Sequence, residues 1–415
     1  MNRRLDPAVN AWMQAPETRA VLEALTRDGG AARFVGGAVR DALSGRAVKD
    51  IDIATPLIPA EVVRRLEAAG IAAHPTGLEH GTVTAVANGH AFEVTTLRRD
   101  VTTDGRHAIV AYTDDWAEDA KRRDFTVNAL YAAPDGELFD YAGGIGDLEA
   151  GRIRFIGDAP SRIREDYLRI LRLFRFHAWY GQGEIDAEAL RAAAGEKAGL
   201  ARLSAERVQK ELLRLLEAAD PAAMLRAMAA AGILAEILPQ AANIARLANL
   251  AAIDGANFFT ADPVLRLAAL LPGDAGAANA AADRLRLSNP DRARIEDLAG
   301  AREKIVSYLS IRDVRRLLYR LDAQRFRDRV RLAWAADAKR STTMQWRALL
   351  ALADAWERPR FPLTGREVMT AGVAEGPLVG RILAEVEDWW VDSDFTPDEF
   401  SLAERLKAVV QALAH

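Results

Sequence analysis

The 415-residue chain contains no cysteine, and its six histidines are scattered. The first absence removes disulfides and thiolate metal sites and fits a reducing compartment. The second leaves no His-Asp cluster of the hydrolase kind. No apolar run approaches the ~20 residues of a membrane span, and the opening MNRRLDPAVNAWMQAP lacks the apolar stretch of a signal peptide. A soluble, unexported, cytoplasmic protein is expected, with no membrane and no protein partner evident. Net positive charge is also missing. A formal charge of −4 and a pI near 6.0 argue against a uniformly basic nucleic-acid coat, although local patches can still bind phosphate. No repeat period and no low-complexity tract appear. What is present is ample apolar material: half the residues are hydrophobic, and the length calls for two to four domains.

The chain is organised around Arg33 to Thr55, RFVGGAVRDALSGRAVKDIDIAT. Phe34 and Val35 read as the end of a short buried strand. Gly36-Gly37 then allows a tight turn whose backbone can approach a ligand. Ala38 to Leu43 are suitable helix formers with Gly45 as a stop, and the first N–H groups of that helix would point back toward the turn. In Asp50-Ile51-Asp52-Ile53 the period of two sends both aspartates to one face, about 7 Å apart, and both isoleucines to the other. Such a pair suits hard cations. The plainer reading is a wet edge strand neutralised by Lys49 beside an ordinary turn.

Before this stretch, Val21, Leu22 and Leu25 mark an amphipathic helix ending at Gly29-Gly30. After it, Pro59 to Gly70 is another, with proline at its start and glycine at its end. Thr82 to Ala87 and Ala91 to Thr96 flank Asn88-Gly89 as a hairpin with one extra residue, His90. Phe92 and Val94 should face the core, which makes Glu93 a candidate third carboxylate or a solvated strand residue. Arg98 to Ala120 reads as a mobile polar loop with one short strand at His107 to Tyr112. Lys121, Arg122 and Arg123 form a cationic cluster that could meet a triphosphate, and Pro134-Asp135-Gly136 turns between two short strands.

From Ser161 the pattern is helical. SRIREDYLRILRLFRFHAWY reads as one helix on which Asp166, Arg169, Arg172 and Arg175 recur every third residue among apolar neighbours. Buried arginines must be paired with acids such as Glu165, or must face a cavity that an anion or base completes. Ala201 to Leu216 reads as a structural helix with a near capping box from Ser204 to Arg207. Gly273 to Ala282 reads as a flexible connection, and Ser288-Asn289-Pro290 restarts a helix. Between Arg312 and Arg331 eight arginines sit among three aspartates, suited equally to an RNA backbone or to a solvated face. Thr364-Gly365-Arg366-Glu367 is a capping box, and Gly376-Pro377 opens a further helix.

The order strand, Gly-Gly, helix bearing Arg40-Asp41, Gly45, Lys-Asp-x-Asp resembles the signature of the nucleotidyltransferase superfamily typified by DNA polymerase beta. More narrowly, RRDFTVNAL, FDYAGGIGDLEAGRIRFIGD and REDYLRILRLFRF resemble the second motif, the connector and the base-recognition helix of the class II tRNA nucleotidyltransferase and bacterial poly(A) polymerase family. The resemblance spans roughly residues 30 to 215. It implies an α+β chain: a nucleotidyltransferase head with a small mixed β-sheet of polymerase-beta-like kind (1–155), then an all-helical neck (156–220), body (221–300) and tail (301–415), the tail binding tRNA. It assigns Asp50 and Asp52 to Mg²⁺, with Glu93 as a third catalytic candidate. Gly37 and Arg40 would contact the incoming nucleotide, Arg123 the triphosphate, and Asp166, Arg169, Arg172 and Arg175 would line the nucleotide pocket.

The implied reaction is template-independent addition of C, C and then A to the tRNA 3′ end from CTP and ATP. The RNA 3′-hydroxyl attacks the α-phosphorus in line, and pyrophosphate leaves with help from two metal ions. An aspartate accepts from an exocyclic amine and an arginine donates to ring acceptors, so Asp166 with Arg169 suits cytosine and adenine, while uracil would leave Asp166 facing another acceptor. HGTVTAV followed by FEVTTLRRDVTTDGRHA resembles the CCA-adding members, and the polar loop around Asp104-Gly105-Arg106 would help the switch from CTP to ATP. Poly(A) synthesis, partial CC or A addition, and a non-catalytic RNA-binding scaffold are the alternatives.

Overall fold

The computed structural model describes residues 4–77, 81–103, 108–337 and 340–413. The chain forms two compact units. One comprises Met1–Ile244, Ala261–Pro263 and Asn279–Asn289; the other comprises Ala245–Thr260, Val264–Ala278 and Pro290–His415.

The first unit opens with β1 (Arg33–Val35), β2 (Ile51–Thr55), β3 (Ala72–Gly77), β4 (Thr82–Ala87), β5 (His90–Thr96), β6 (Arg98–Thr103), β7 (Ala108–Tyr112), β8 (Leu130–Ala132) and β9 (Leu138–Asp140). Seven of them make one mixed sheet in the order β3-β4-β5-β2-β1-β8-β9, with β2 and β5 parallel, while β6 and β7 pair as a separate ribbon. Strand alternation gives the sheet two characters. Ile51 and Ile53 share an apolar core with Phe34, Phe92 and Val94, whereas Ala54 faces the other way with Val35 and Tyr131. Helices α1 (Pro16–Thr26) and α3 (Pro59–Ala68) seal that core with Val21, Leu22, Leu25, Val62 and Leu66, all buried; α2 (Gly37–Leu43) adds Val39. Each such side chain contributes about 1.5–3 kcal/mol, which anchors the sheet from one face and leaves the other able to carry charge.

Three local expectations for this region change. His90 pairs with Ala87, so the hairpin loop is the two residues Asn88 (φ 49°) and Gly89 (φ 80°), both in the left-handed region that a tight twisted turn requires. After Arg98 the expected short strand is present as β7, but in place of a mobile loop around it stand its partner β6 and then α4 (Trp116–Lys121), where Asp115 caps the N–H groups of Ala117 and Glu118. The segment around Asp104-Gly105-Arg106 lies outside the described residues. Asp50 stands immediately before β2 rather than within it.

After α5 (Gly144–Glu149), the expected single helix from Ser161 is two: α6 (Ala159–Glu165), capped by Asp158, and α7 (Leu168–Tyr180). Asp166 is extended at φ −155°, ψ 107°, and its carboxylate accepts the Leu168 N–H at 3.1 Å. An aspartate that can bond a backbone donor two residues on favours a helix start over a helix interior, hence the break. Helices α8 (Ala187–Gly195) and α9 (Ala205–Leu216) follow; α9 lies against α7, and its Val208, Leu212, Leu215 and Leu216 are buried.

The regular elements among the second unit's described residues are all helices. Ala275–Leu285, whose residues from Asn279 on belong to the first unit, is a helix rather than a flexible connection: Asp274 accepts the Ala277 N–H, alanine is the best helix former, and Ala278, Ala281, Ala282 and Leu285 are fully buried. The arginine-rich stretch forms helices Ile311–Leu321 and Ala323–Asp337, separated at Asp322 (φ 71°). Its arginines pair with acids of the same unit, among them Arg315 with Asp394, Arg320 with Asp388, Arg327 with Asp354 and Arg331 with Asp254. The capping box at Thr364 and the helix start at Gly376-Pro377 are present. Among the described residues no helix is long and apolar enough to cross a membrane.

Candidate active site

The charged face of the sheet opens into a cleft of about 820 Å³. Gly37, Arg40, Asp50, Asp52, Glu93, Arg123, Asp166, Arg169, Arg172 and Arg175, residues drawn from five segments of the chain, all line it. Lys121 does not; it lines a separate cavity with Tyr141 and Arg154.

The floor is built from short-range geometry. Gly36 turns β1 into α2 at φ 64°, ψ −116°, a conformation that strains any other residue, and its N–H is held by the Leu130 carbonyl at 3.0 Å. Asp52 projects from β2 directly beside Glu93 of the parallel strand β5, with Asp50 one residue before the strand. Burial, and then the Glu93 carboxylate, push the Asp52 carboxyl up to about 6; Asp50 adds to the rise, and Arg123 and Arg40 oppose it. Crowded negative charge of this kind is what a bound cation relieves.

The walls are cationic. Arg40 is buried, donates from Nη1 to Asn128 Oδ1 at 2.6 Å and from Nε to Asp41 at 3.0 Å, and lies over the Tyr180 ring at 4.2 Å. Arg172 donates to Asp124 at 2.7 Å, and Arg175 pairs with Glu211. Burial pushes the Asp124 carboxyl up, but Arg172, Asn128 and the Phe125 N–H outweigh it and hold the group at about 2. Arg169 is held by Glu165 at 2.6 Å and by the Arg162 carbonyl at 2.8 Å. Asp166, placed at the helix break, accepts from Arg207 Nη2 at 2.7 Å. The expectation that these arginines are either paired or face a cavity therefore resolves as both. In all, eight arginine and lysine side chains line the cleft against five carboxylates, in a chain whose net charge is negative.

Residues 32–154 match the model of the poly A polymerase head domain, and residues 184–244 match a region described as a probable RNA and SrmB-binding site of polymerase A. The mouse mitochondrial CCA tRNA nucleotidyltransferase 1 is 32% identical over 406 residues, covering 94% of this chain and 89% of its own. The chain belongs to the class II tRNA nucleotidyltransferase family. A CCA-adding enzyme of Levilactobacillus brevis is 40% identical over 205 residues, 49% of this chain and 50% of that protein. The Bacillus stearothermophilus CCA-adding enzyme, solved in complex with CTP, superposes with a TM-score of 0.76 at 26% identity over 95% of this chain and 97% of that one.

Nucleotidyltransferases of this family work with divalent metal ions. The donors here fit one: Asp50, Asp52 and Glu93 offer hard carboxylate oxygens whose mutual repulsion already raises the Asp52 carboxyl. Among the described residues no three acidic or histidine side chains close on one point.

Several cleft residues escaped the sequence reading. Asp124 and Asn128 lie in the second motif, but the sequence reading assigned them no role. Arg207 and Lys210 line the cleft from α9, and Glu211 of the same helix is buried against Arg172 and Arg175. Their signal was available: positions 207, 210 and 211 make one polar stripe along the edge of the apolar face of α9, where a glutamate flanked by Val208 and Leu215 requires a cationic partner.

Proposed function

We propose that this chain adds C, C and A in turn to the 3′ end of tRNA from CTP and ATP, releasing pyrophosphate, with Mg²⁺ as the metal. The observation that carries the reading is the single cleft in which the Asp50, Asp52 and Glu93 carboxylates, the Arg40 and Arg123 guanidiniums and the Asp166/Arg169 pair face one another. When bound at Asp50 and Asp52, Mg²⁺ would lower the pKa of the attacking 3′-hydroxyl and neutralise the departing pyrophosphate. Arg123 and Arg40 hold the triphosphate against the glycine turn, so that the α-phosphorus is presented to the carboxylate side. Asp166 reads the base. Its carboxylate accepts from Arg207 and would likewise take the exocyclic amine of cytosine or adenine, while it opposes the carbonyl of uracil or guanine. Arg169, fixed by Glu165, donates to the ring acceptors.

The division into head (1–155), neck (156–220), body (221–300) and tRNA-binding tail (301–415) and a cytoplasmic location belong to the same reading. The test is to offer a tRNA transcript lacking its 3′ end CTP, ATP, UTP and GTP separately and in mixtures, and to size the product. Addition of three nucleotides followed by arrest is expected with CTP and ATP; a long adenosine ladder, or arrest after CC or A alone, overturns the assignment.

A further inference from the structure

The cleft depends on a carboxylate that does not line it. Asp119, in α4, is 1% exposed, and both its oxygens are occupied by groups that reach the cleft or lead to it. Oδ1 accepts from Arg122 Nε at 2.9 Å and from the backbone N–H of Arg98 at 3.2 Å. Oδ2 accepts from the Tyr131 hydroxyl at 2.7 Å and from Arg123 Nη2 at 3.1 Å, while Arg123 Nε donates to the Tyr131 oxygen at 3.2 Å. Arg122 and Arg123 both line the cleft; Arg98 is the first residue of the β6/β7 ribbon. The bonds leave Arg123 Nη1 beside the glycine turn, 3.5 Å from where a Cβ on Gly36 would sit.

We propose that Asp119 is the positioning residue of the triphosphate site: one buried carboxylate aims two adjacent arginines into the cleft and fastens them to the root of the β6/β7 ribbon. Two neighbouring guanidiniums repel, and long arginine side chains are costly to order when a ligand arrives. A shared anion beneath them removes both penalties in advance. Burial pushes the Asp119 carboxyl up, but Arg123, Arg122 and the Tyr131 hydroxyl outweigh it and hold it at about 2, so the anchor stays charged at neutral pH. The proposal rests on Arg123 meeting the triphosphate.

The experiment uses the full-length enzyme with a tRNA transcript and inorganic tripolyphosphate as a base-free competitive inhibitor. Asp119→Asn keeps the size but loses the charge and one acceptor. It should raise the tripolyphosphate inhibition constant and the KM for CTP and for ATP together, by about tenfold, with the preference for CTP over UTP unchanged. Arg123→Gln should weaken the same constants. In the double variant the added effect of Asp119→Asn should shrink to about threefold or less, because the two residues act through one contact. Unchanged tripolyphosphate inhibition in Asp119→Asn, or full additivity in the double variant, overturns the proposal. Unchanged inhibition in Arg123→Gln removes instead the placement of Arg123 at the triphosphate. If Asp119→Asn does not fold, Tyr131→Phe decides, since it keeps the ring against Trp116 and removes one donor to Asp119. A rise of about two- to threefold in the same constant is expected, and no change overturns the proposal.

Discussion

Two sets of arginines in this chain are entirely different in use. In α7 and the segment just after α4, Arg122, Arg123, Arg169, Arg172 and Arg175 stand half-buried against Asp119, Glu165, Asp124 and Glu211 and open onto one cavity. In Ile311–Leu321 the arginines pair across exposed helix faces, as Arg320 does with Asp388 at 3.0 Å, both about half exposed or more. In each stretch the charge is balanced. What differs is whether the balancing acid is under cover: a buried acid fixes the guanidinium and leaves its outer nitrogens for a ligand, whereas a surface pair is loosely held and screened.

The largest expected contrast lies in the carboxylates that the cleft arginines face. Asp50→Ala or Asp52→Ala should lower kcat by at least about 10³-fold, measured by nucleotide incorporation into tRNA, while thermal melting is unchanged or slightly raised, because like charges crowd Asp52 in the folded state. Near-normal turnover in either variant would remove the reaction centre. Next, Arg169→Ala should cut discrimination of CTP over UTP by about 10²-fold in kcat/KM, an effect no arginine of the second unit should reproduce. A smaller effect is expected in stability against pH. Asp119 and Asp124 are both held at about 2, below their values in an unfolded chain. Their contribution, at most about 2 kcal/mol each, is therefore fully present above about pH 4 and is lost as the pH falls toward 2. Melting temperature followed from pH 6 to pH 2 checks it, and Asp124→Asn should flatten the curve. The smallest effect is Arg320→Ala, expected to change stability by less than about 0.5 kcal/mol and less still in high salt. A larger loss would mean that the surface ladder is cooperative and would erase the contrast.

How legible these regions were follows from the range of the interactions. Asp52 beside the isoleucines of β2, and Glu93 beside Phe92 and Val94, needed only the two-residue alternation of a strand, and Asn88-Gly89 only its own dihedral preferences. The break at Asp166 was hidden because the apolar spacing of α6 and α7 continues across it, and one carboxylate bonded to the Leu168 N–H decides the matter. Ala275–Leu285 was misread from its glycines and small residues, whose helical preference the burial of Ala278 to Leu285 confirms.

By itself, then, the order of residues determined the strand-glycine-helix turn, the pair of acids that follows it and the arginine-bearing helix, because each is a local pattern of period two or near 3.6. Only the tertiary structure decided that Asp119, Asp124, Arg207 and Glu211 are partners of that machinery. Asp124, Arg207 and Glu211 meet their partners across 36 to 48 positions of chain, a pairing that no local period encodes; Asp119 has its arginines three and four residues on, and only its burial was decided by the assembled interior.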